Sequence, residues 1–358
     1  MGRGGSGRGA RWQRERGFTL LEMLVVVGLI GIMLGLGVGA LQRQRKALEQ
    51  SVVSLRDLVR LARGNARFYQ SSVRLVVDPP PRNAALTQTP TGELYEQSFR
   101  VLALRPLSEW NFDLDAANGS FGIEASLGAA SIVDAGRFGR GLRPDPEGGQ
   151  PGVFVRTSHY SEFDLREGFV ARLDLWLESH EACTILRLGQ SFELGVDTGG
   201  YARGQLTFSD GAGQAGRTIR LRGLRPLPLR QWFRLAFSYD GHSIVLERDG
   251  LEEDEKPGAG PVYYDTQAEF WISAGDTPVP GRIDSVELFA YEALSEFLIP
   301  QDVQLVEGPA ALHFAKDGRL DPRYHSAPVT FRMSMGDAAG GTKPRQESVT
   351  IELGGLPR

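Results

Sequence analysis

GFTLLEMLVVVGLIGIMLGLGVGAL, residues 17–41, is the stretch that decides the fold. Residues 18–41 carry one charged side chain, Glu22. As a helix, a run of this length reaches across the roughly 30 Å hydrocarbon layer of a bilayer. Five arginines precede it: Arg3, Arg8, Arg11, Arg14 and Arg16. Because basic residues stay on the cytoplasmic side, the sequence predicts a single-pass inner-membrane segment with a cytoplasmic N-terminus and an exported body.

The position of Glu22 helps to decide whether residues 18–41 are a plain membrane anchor, a cleavable secretory signal or another kind of segment. A plain membrane anchor or a cleavable secretory signal would each account for the hydrophobicity. A secretory signal, however, has an apolar core of only about 7–15 residues and ends in an A-x-A-like site. Neither alternative explains a carboxylate at the fifth apolar position, because a buried charge in a bilayer costs about a few kcal/mol and usually has a partner.

The order Arg16-Gly17-Phe18-Thr19-Leu20-Leu21-Glu22 resembles the processing site of the type IV prepilin family. The resemblance implies that residues 1–17 are a leader and that a prepilin peptidase cleaves between Gly17 and Phe18. Phe18 then becomes the N-methylated first residue. It also implies that Glu22 neutralises the terminal amine of a neighbouring subunit inside an apolar filament core. The implied partners are other pilins or pseudopilins, the peptidase and the inner-membrane assembly platform.

The apolar run continues into an amphipathic segment. Its apolar residues recur in steps of four and three: Leu48, Val52, Leu55, Val59, Ala62, Ala66 and Tyr69. This spacing predicts one stripe along a helix that ends near Gln70. A coiled coil would show the same alternation. Continuity with the 18–41 segment favours one long helix whose stripe lies on a sheet.

Short extended stretches flank the middle of the chain. Alternating residues predict strands in 73–77 and 98–107 and again after residue 310. The last block resembles the C-terminal sheet of the H-type minor pseudopilins, through Phe314, Asp317 and Gly318. We therefore expect an α+β fold: a long N-terminal helix packed on a small antiparallel sheet, the pilin fold, with head residues 42–107 and 296–358.

Residues 108–295 contain many short alternating strands separated by turns, which predicts a sandwich or jelly roll inserted into the head. The motifs at 110–113, 136–142, 169–177, 231–241 and 281–289 then resemble the concanavalin-like, laminin-G-like family. That resemblance implies a binding module for glycans or proteins. Members of the family also include calcium-binding domains and glycosidases.

Calcium and catalysis each have candidate residues. Asp113, Asp115 and Asp284 are the candidate calcium ligands, because calcium prefers carboxylate and carbonyl oxygens; capping of turns is the alternative role. A retaining glycosidase needs two carboxylates about 5 Å apart. The acidic run 252–255 has Lys256 where a third acid should stand, which favours a solvated loop. We expect no enzyme and no other cofactor, and the five histidines show no ligand spacing.

Charge and cysteine content exclude further classes. The net charge is −4 although the leader is basic, so the body is acidic and no nucleic-acid partner is expected. One cysteine, Cys183, excludes an intramolecular disulfide. The sequence therefore predicts a minor pilin or pseudopilin subunit of a type II secretion or type IV pilus-like machine, with an outward binding domain. The alternative is a plain membrane-anchored glycan-binding protein or glycan hydrolase that does not polymerise.

Overall fold

The computed structural model describes residues 20–78, 97–113, 119–145, 152–160, 163–210, 212–264, 267–274, 277–335 and 345–358. The predicted processing residues Gly17 and Phe18, and the candidate ligand Asp115, lie outside the described residues. Glu22 lies in the helix, but its side chain is outside the described part.

One helix and twenty strands make up the described chain. The helix α1 spans Leu20–Tyr69, and a short 3-10 helix spans Thr157–His159. The strands are β1 (Val73–Asp78), β2 (Ser98–Trp110), β3 (Ser126–Leu127), β4 (Ala130–Val133), β5 (Gly141–Pro144), β6 (Val153–Arg156), β7 (Phe169–Leu177), β8 (Cys183–Leu188), β9 (Phe192–Val196), β10 (Tyr201–Ser209), β11 (Ala215–Pro226), β12 (Trp232–Tyr239), β13 (Ser243–Arg248), β14 (Leu251–Pro257), β15 (Glu269–Ala274), β16 (Gly281–Leu298), β17 (Val303–Glu307), β18 (Ala311–Phe314), β19 (Val329–Met335) and β20 (Arg345–Ile351).

The strands form three sheets. A ten-stranded sheet runs β14-β13-β12-β7-β16-β2-β1-β18, with β5 also pairing with β16 and β4 pairing with β5. A seven-stranded sheet runs β11-β10-β9-β8-β15-β6-β3, and a three-stranded sheet runs β17-β19-β20. Local pairing between antiparallel strands suits a glycine-rich chain in which turns are frequent.

The second half of α1 packs on one end of the ten-stranded sheet and on the three-stranded sheet. Leu48, Val52, Leu55, Val59, Ala62 and Ala66 of the predicted stripe are buried. They share a core with β1, β2 and the C-terminal strands. Tyr69, the last residue of the predicted stripe, is half exposed, and the Arg105 guanidinium lies 4.0 Å from its ring centre. Burial of each large stripe residue contributes roughly 1.5–3 kcal/mol.

The first half of α1 has a different environment. Eight of its large apolar side chains are 43–71% exposed: Met23, Leu24, Val25, Val26, Val27, Leu29, Ile30 and Met33. Within the part of the chain that the structure describes, no helix is both long and apolar enough to cross a membrane. These exposed side chains therefore have no apolar partner within the described chain.

The ten- and seven-stranded sheets face each other as a β-sandwich, which confirms the mostly β architecture predicted for the middle of the chain. Alternate residues of β7 and β12 point into one core with those of β8, β9 and β15. Aromatic rings fill its centre: Phe169 and Phe192 stack at 4.6 Å, and Trp110 lies 5.4 Å from Phe270. Packed aromatic rings make such a core stiff as well as stable.

Strands β2 and β16 connect the two cores. They pair antiparallel from Ser98–Leu298 to Trp110–Val286, with two register shifts. One end of this pair lies under the helix and the other lies in the sandwich core. The domain boundaries predicted after residues 107 and 295 therefore fall inside strands. Because main-chain hydrogen bonds run through the boundary, the sandwich is joined to the head by a continuous sheet and not by a linker.

The acidic run 252–255 forms most of strand β14, so the expectation of a solvated loop there is wrong. Glu253 is buried, and its Oε2 accepts hydrogen bonds from the backbone N–H groups of Leu224, at 2.7 Å, and Arg225, at 3.3 Å. Asp254 Oδ2 accepts one from Arg222 N–H at 3.0 Å. These carboxylates satisfy backbone donors along the edge of β11, which would otherwise be open for pairing.

Replacing Glu253 tests this edge contact. We expect Glu253→Ala to lower the free energy of unfolding by about 2 kcal/mol, because two backbone donors lose their acceptor and Arg248 loses an ion pair at 2.6 Å. Urea unfolding of the full chain in detergent measures the change. Glu252→Ala is the matched control, since Glu252 is exposed in the same strand and should change stability by less than about 0.5 kcal/mol. Equal effects of the two variants would contradict the edge contact.

Candidate binding face

The two described calcium candidates hold one loop. Asp284 Oδ2 accepts hydrogen bonds from the N–H groups of Arg137, at 2.7 Å, and Phe138, at 3.0 Å. Asp113 Oδ1 accepts one from Arg140 N–H at 3.0 Å. Gly139 has a positive φ of 121°, and a Cβ there would lie 2.5 Å from Asp113 Oδ1. The loop between β4 and β5 is therefore held in place by two aspartates, whose carboxylates accept hydrogen bonds from its backbone N–H groups.

This arrangement bears on the calcium prediction. In the part of the chain that the structure describes, no cluster of three or more His, Cys, Asp or Glu side chains could hold a metal ion. Asp284 is almost fully buried, and its two oxygens accept backbone hydrogen bonds. The described geometry matches the turn-capping alternative. Calcium binding by this loop together with Asp115 stays a prediction.

A buried carboxylate that sequence reasoning missed lies beside Asp284. Asp174 of β7 is directly opposite Asp284 in the sheet register and is completely buried. Arg234 binds it with two hydrogen bonds, Nε–Oδ1 at 3.0 Å and Nη2–Oδ2 at 2.9 Å, and Arg137 Nη1 adds a third at 2.6 Å. The hydrogen bond to Asp174 raises the pKa of Arg234. The sequence signal that could have indicated this ion pair is the position of Asp174 among the outward-facing residues of β7.

The tryptophans of the sandwich, whose rings could stack on sugars, divide between core and surface. Trp110 is fully buried in the sandwich core. Trp232 lies on the outer face of the ten-stranded sheet, 6.0 Å from the ring of Trp176, and the Arg282 guanidinium lies 4.6 Å over Trp176. That stacking surface is already partly occupied by Arg282. Trp271, by contrast, lies half-buried on the outer face of the seven-stranded sheet.

Trp271 belongs to a straight row of side chains that crosses the seven-stranded sheet. The register aligns one residue from each of six neighbouring strands: Phe154, Trp271, Arg187, Glu193, Gln205 and Arg220. All six alternate with buried residues and none is itself buried, so the row lies on the outer face. We call this row the aromatic-polar strip. At about 4.8 Å between strands it is roughly 24 Å long.

The groups on the strip differ in what they already bind. Trp271 and Phe154 stack with ring centres 4.8 Å apart and planes 30° apart. Glu193 pairs with Arg203 at 2.6 Å. The side chain of Arg187 has no hydrogen-bond or ion-pair partner among the described residues. An accessible aromatic pair beside an uncommitted guanidinium has the composition of a recognition surface.

Two grooves lie where the head meets the sandwich, with volumes of about 1220 and 810 Å³. Both are lined by Arg100, Arg166 and Glu167. These charged groups are largely paired: Arg100 binds Glu167 at 2.7 Å, and Arg166 binds Asp164 at 2.5 Å. The strip, by contrast, combines a stacked aromatic pair with the Arg187 guanidinium, which has no partner among the described residues.

Three of the five histidines meet at the same junction, although their spacing in the sequence gave no sign of it. His313 of β18 has its ring centre 4.1 Å from that of Tyr324, and the backbone N–H of His313 donates to His325 Nε2 at 2.9 Å. The turn between β12 and β13 brings His242 and Asp240 from the sandwich. The Tyr324 hydroxyl donates to Asp240 Oδ2. This junction cluster therefore joins the head to the sandwich through polar side chains.

The junction cluster shifts the pKa values of its members. Burial lowers the pKa of His313 to about 3, and burial also lowers the pKa of His325. Although burial opposes it, hydrogen bonds from Ser243 N–H and the Tyr324 hydroxyl hold the pKa of Asp240 below its ordinary value. At neutral pH the cluster thus contains neutral His313 and ionised Asp240.

Comparison with known proteins identifies two parts of the chain. Residues 12–38 match the model described as the prokaryotic N-terminal methylation motif. Residues 174–297 match the concanavalin A-like lectin/glucanases superfamily. The pilin-like protein PilA1 of Thermus thermophilus is 48% identical over 49 residues, which are 14% of this chain and 31% of that protein. The chain thus spans about a third of the length of this curated relative.

Solved structures with some similarity include domain 4 of the arabinanase AbnA from Geobacillus stearothermophilus, in complex with arabinotriose. It is 17% identical with a TM-score of 0.41, over 54% of this chain and 95% of that one. The binding domain of Paraclostridial Mosquitocidal Protein 1 is 12% identical with a TM-score of 0.42, over 53% and 49%.

The family matches define a chain with two kinds of part: a prepilin-type N-terminal segment and a lectin-like jelly-roll domain. The resemblances of the N-terminal segment to the prepilin processing site and of the middle of the chain to the concanavalin-like family are confirmed. The chain carries a prepilin-type methylation motif at residues 12–38 and a concanavalin A-like domain at residues 174–297.

Proposed function

We propose that the protein is a minor pilin or pseudopilin of a type II secretion or type IV pilus-like machine, and that its jelly-roll domain binds a glycan or protein ligand outside the membrane. The pilin fold is part of the proposal: α1 would be the membrane and assembly helix, and its second half the spine of the head. Other pilins, the prepilin peptidase and the inner-membrane platform would be the partners.

The observation that carries this proposal is the division of α1. One continuous helix has its second half packed in the head core, while the large apolar side chains described between Met23 and Met33 are exposed. Exposed apolar side chains in such number need either lipid or a neighbouring protein. The helix of a pilin subunit would contact lipid before assembly and neighbouring subunits after it. The methylation motif lies at the start of this helix.

We propose a binding role and not catalysis for the jelly-roll domain. The acidic run supplies Glu253 and Asp254 to backbone donors, and the buried pair Asp174 and Asp284 is committed to arginines and backbone N–H groups. A glycosidase would need one carboxylate free to act as acid or base. Release of reducing ends from a polysaccharide by the purified chain would contradict this role.

Replacing Glu22 tests assembly. We expect Glu22→Ala to leave the protein in the inner membrane but to abolish its recovery in sheared filaments or assembled pseudopili, because the amine of Phe18 would lose its partner in the apolar interior. Immunoblotting of membrane and filament fractions measures this, with mass spectrometry of the N-terminus reporting cleavage after Gly17 and methylation of Phe18.

Glu49→Ala is the matched control, since Glu49 lies on the same helix in the part that packs on the head. It should be recovered in filaments as the unchanged protein is. If Glu22→Ala is recovered in filaments equally well, or if the unchanged chain is never found there, the protein is a plain membrane-anchored binding protein.

A further inference from the structure

We propose that the aromatic-polar strip binds a polysaccharide that carries carboxylate groups, with Trp271 stacked on a sugar ring and Arg187 paired with a carboxylate. This inference rests on the proposed binding role of the jelly-roll domain and names the ligand class.

The charge of the outer face is the first observation. On the strands of the seven-stranded sheet, the outward-facing charged residues are five arginines and two glutamates: Arg156, Arg187, Arg203, Arg220, Arg222, Glu193 and Glu269. The protein as a whole has a net charge of −4. A positive face on a negative protein attracts anions to one place and keeps them from the rest of the surface.

The second observation is which arginine is uncommitted. Arg203 pairs with Glu193 at 2.6 Å, Arg222 pairs with Asp197 at 2.6 Å, and Arg220 donates to Gln205 at 3.1 Å. Arg187 lies in the middle of these residues without a partner among the described residues. Glu193, its cross-strand neighbour, is already taken by Arg203. The planar fork of Arg187 is therefore available for two parallel hydrogen bonds to a ligand carboxylate.

The third observation is the shape of the site. Cross-strand pairing places Arg187 directly beside Trp271, and Phe154 lies on the other side of the same tryptophan. A sugar ring stacked on Trp271 would thus carry its substituents within reach of Arg187. The row continues through Gln205 to Arg220 over roughly 24 Å, which suits a polymer laid across the sheet better than a small molecule in a pocket.

The test uses the full chain in a mild detergent and two forms of one polymer. Polygalacturonate carries a carboxylate on each sugar, and its fully methyl-esterified form has the same backbone without the charge. Biolayer interferometry should give binding to polygalacturonate at least tenfold tighter than to the ester. Raising the salt concentration from about 50 to 500 mM should weaken the binding to polygalacturonate, because the ion pairs are at the surface.

Two variants localise the binding. Arg187→Gln should weaken binding to polygalacturonate at least tenfold and leave the weak binding to the ester unchanged. Trp271→Ala should weaken binding to both polymers. Arg143→Gln is the matched control: this exposed arginine lies in β5 of the other sheet, pairs with Glu178 at 3.5 Å, and should have no effect.

Each outcome decides a different statement. If the acid and the ester bind equally well, or if Arg187→Gln has no effect, the ligand is not recognised by its carboxylate groups. The strip is then still a glycan site if Trp271→Ala weakens binding. Loss of binding in Arg143→Gln as much as in Arg187→Gln overturns the strip as the site. Absence of binding to either polymer overturns the present inference; the binding role itself fails only if a broad set of neutral and charged glycans and secreted proteins also gives none.

Discussion

Asp174→Ala is expected to lower the free energy of unfolding by about 3 kcal/mol. Asp174 is completely buried and accepts three hydrogen bonds, two from Arg234 and one from Arg137. Removing one partner of a buried ion pair costs about 3–5 kcal/mol, because the remaining charge stays desolvated. The side chains of Arg137 and Arg234 are each about one-third exposed, so water can partly replace the lost carboxylate and the lower end of that range applies.

The change in Asp174→Ala reaches beyond one pair. Arg137 belongs to the loop that Asp284 and Asp113 fasten, and Ala135 of that loop accepts a hydrogen bond from Arg282, which lies over Trp176. Release of the loop should therefore also expose the ring of Trp176. Urea unfolding in detergent measures the free energy, and tryptophan fluorescence reports the exposure. Asp134→Ala is the matched control, because Asp134 is 91% exposed and pairs with Arg140 at 3.2 Å at the surface. It should change stability by less than about 1 kcal/mol; an equal loss in both variants would contradict the buried role of Asp174.

Acid should weaken the contact between head and sandwich. The pKa of His313 is lowered by burial to about 3, whereas an unfolded histidine has its ordinary value near 6.5. Between these two values the unfolded chain binds a proton that the folded chain does not, so stability falls as the pH drops below about 6.5. The lowered pKa of His325 acts in the same direction. From pH 6.5 to 4 the expected loss is on the order of 3 kcal/mol.

The charged groups around His313 come from every element packed on it. Asp240 and His242 belong to the sandwich turn, Arg74 to β1, and Tyr324 and His325 to the turn after β18. Arg74 and the two histidines oppose protonation, whereas the carboxylates of Asp240 and Asp321 favour it. Because Asp240 also has a lowered pKa, its own contribution to stability is lost only below about pH 4, as the pH falls through its folded-state value. Both contributions therefore weaken in acid.

Two variants separate the parts of the junction cluster. His313→Phe keeps a ring beside Tyr324 but cannot bind a proton, so stability should depend less on pH between 6.5 and 4. Tyr324→Phe keeps the ring and removes the hydroxyl bound to Asp240, so it should lower stability by about 1–2 kcal/mol while the pH dependence over that range remains. Urea midpoints at pH 7, 6, 5 and 4 measure both. An unchanged pH dependence in His313→Phe would assign the acid sensitivity elsewhere.

Local signals in the sequence predicted much of the protein. The order of Gly17, Phe18 and Glu22 at the start of an apolar run identified the prepilin-type segment, because these residues lie within six positions of one another. The 4-3 stripe identified the buried side of α1 as far as Ala66, since helical periodicity is a property of neighbouring residues. Alternation in β7 and β12 predicted the sandwich for the same reason.

Contacts between distant residues could not be read in this way. Asp113 and Asp284 were predicted to bind metal, and the described fold uses both to fasten one loop. The run 252–255 was expected to be a solvated loop. Nothing near it in the sequence reveals that the edge of β11 lies beside it. Sequence spacing likewise concealed the meeting of His242, His313 and His325.

The amino-acid sequence by itself determined that the chain begins with a prepilin-type helix and that its middle is a lectin-like β domain. The helix and the strands follow from patterns that repeat every three to four or every two residues, and the two families follow from the resemblance of short motifs to those of known proteins. Only the tertiary structure decided that β2 and β16 run through both cores, that Asp174 is a buried ion-pair centre, and that Arg187 lies uncommitted beside Trp271. These features depend on strand register, which aligns residues far apart in the chain, and register is set by the packing of the whole sheet.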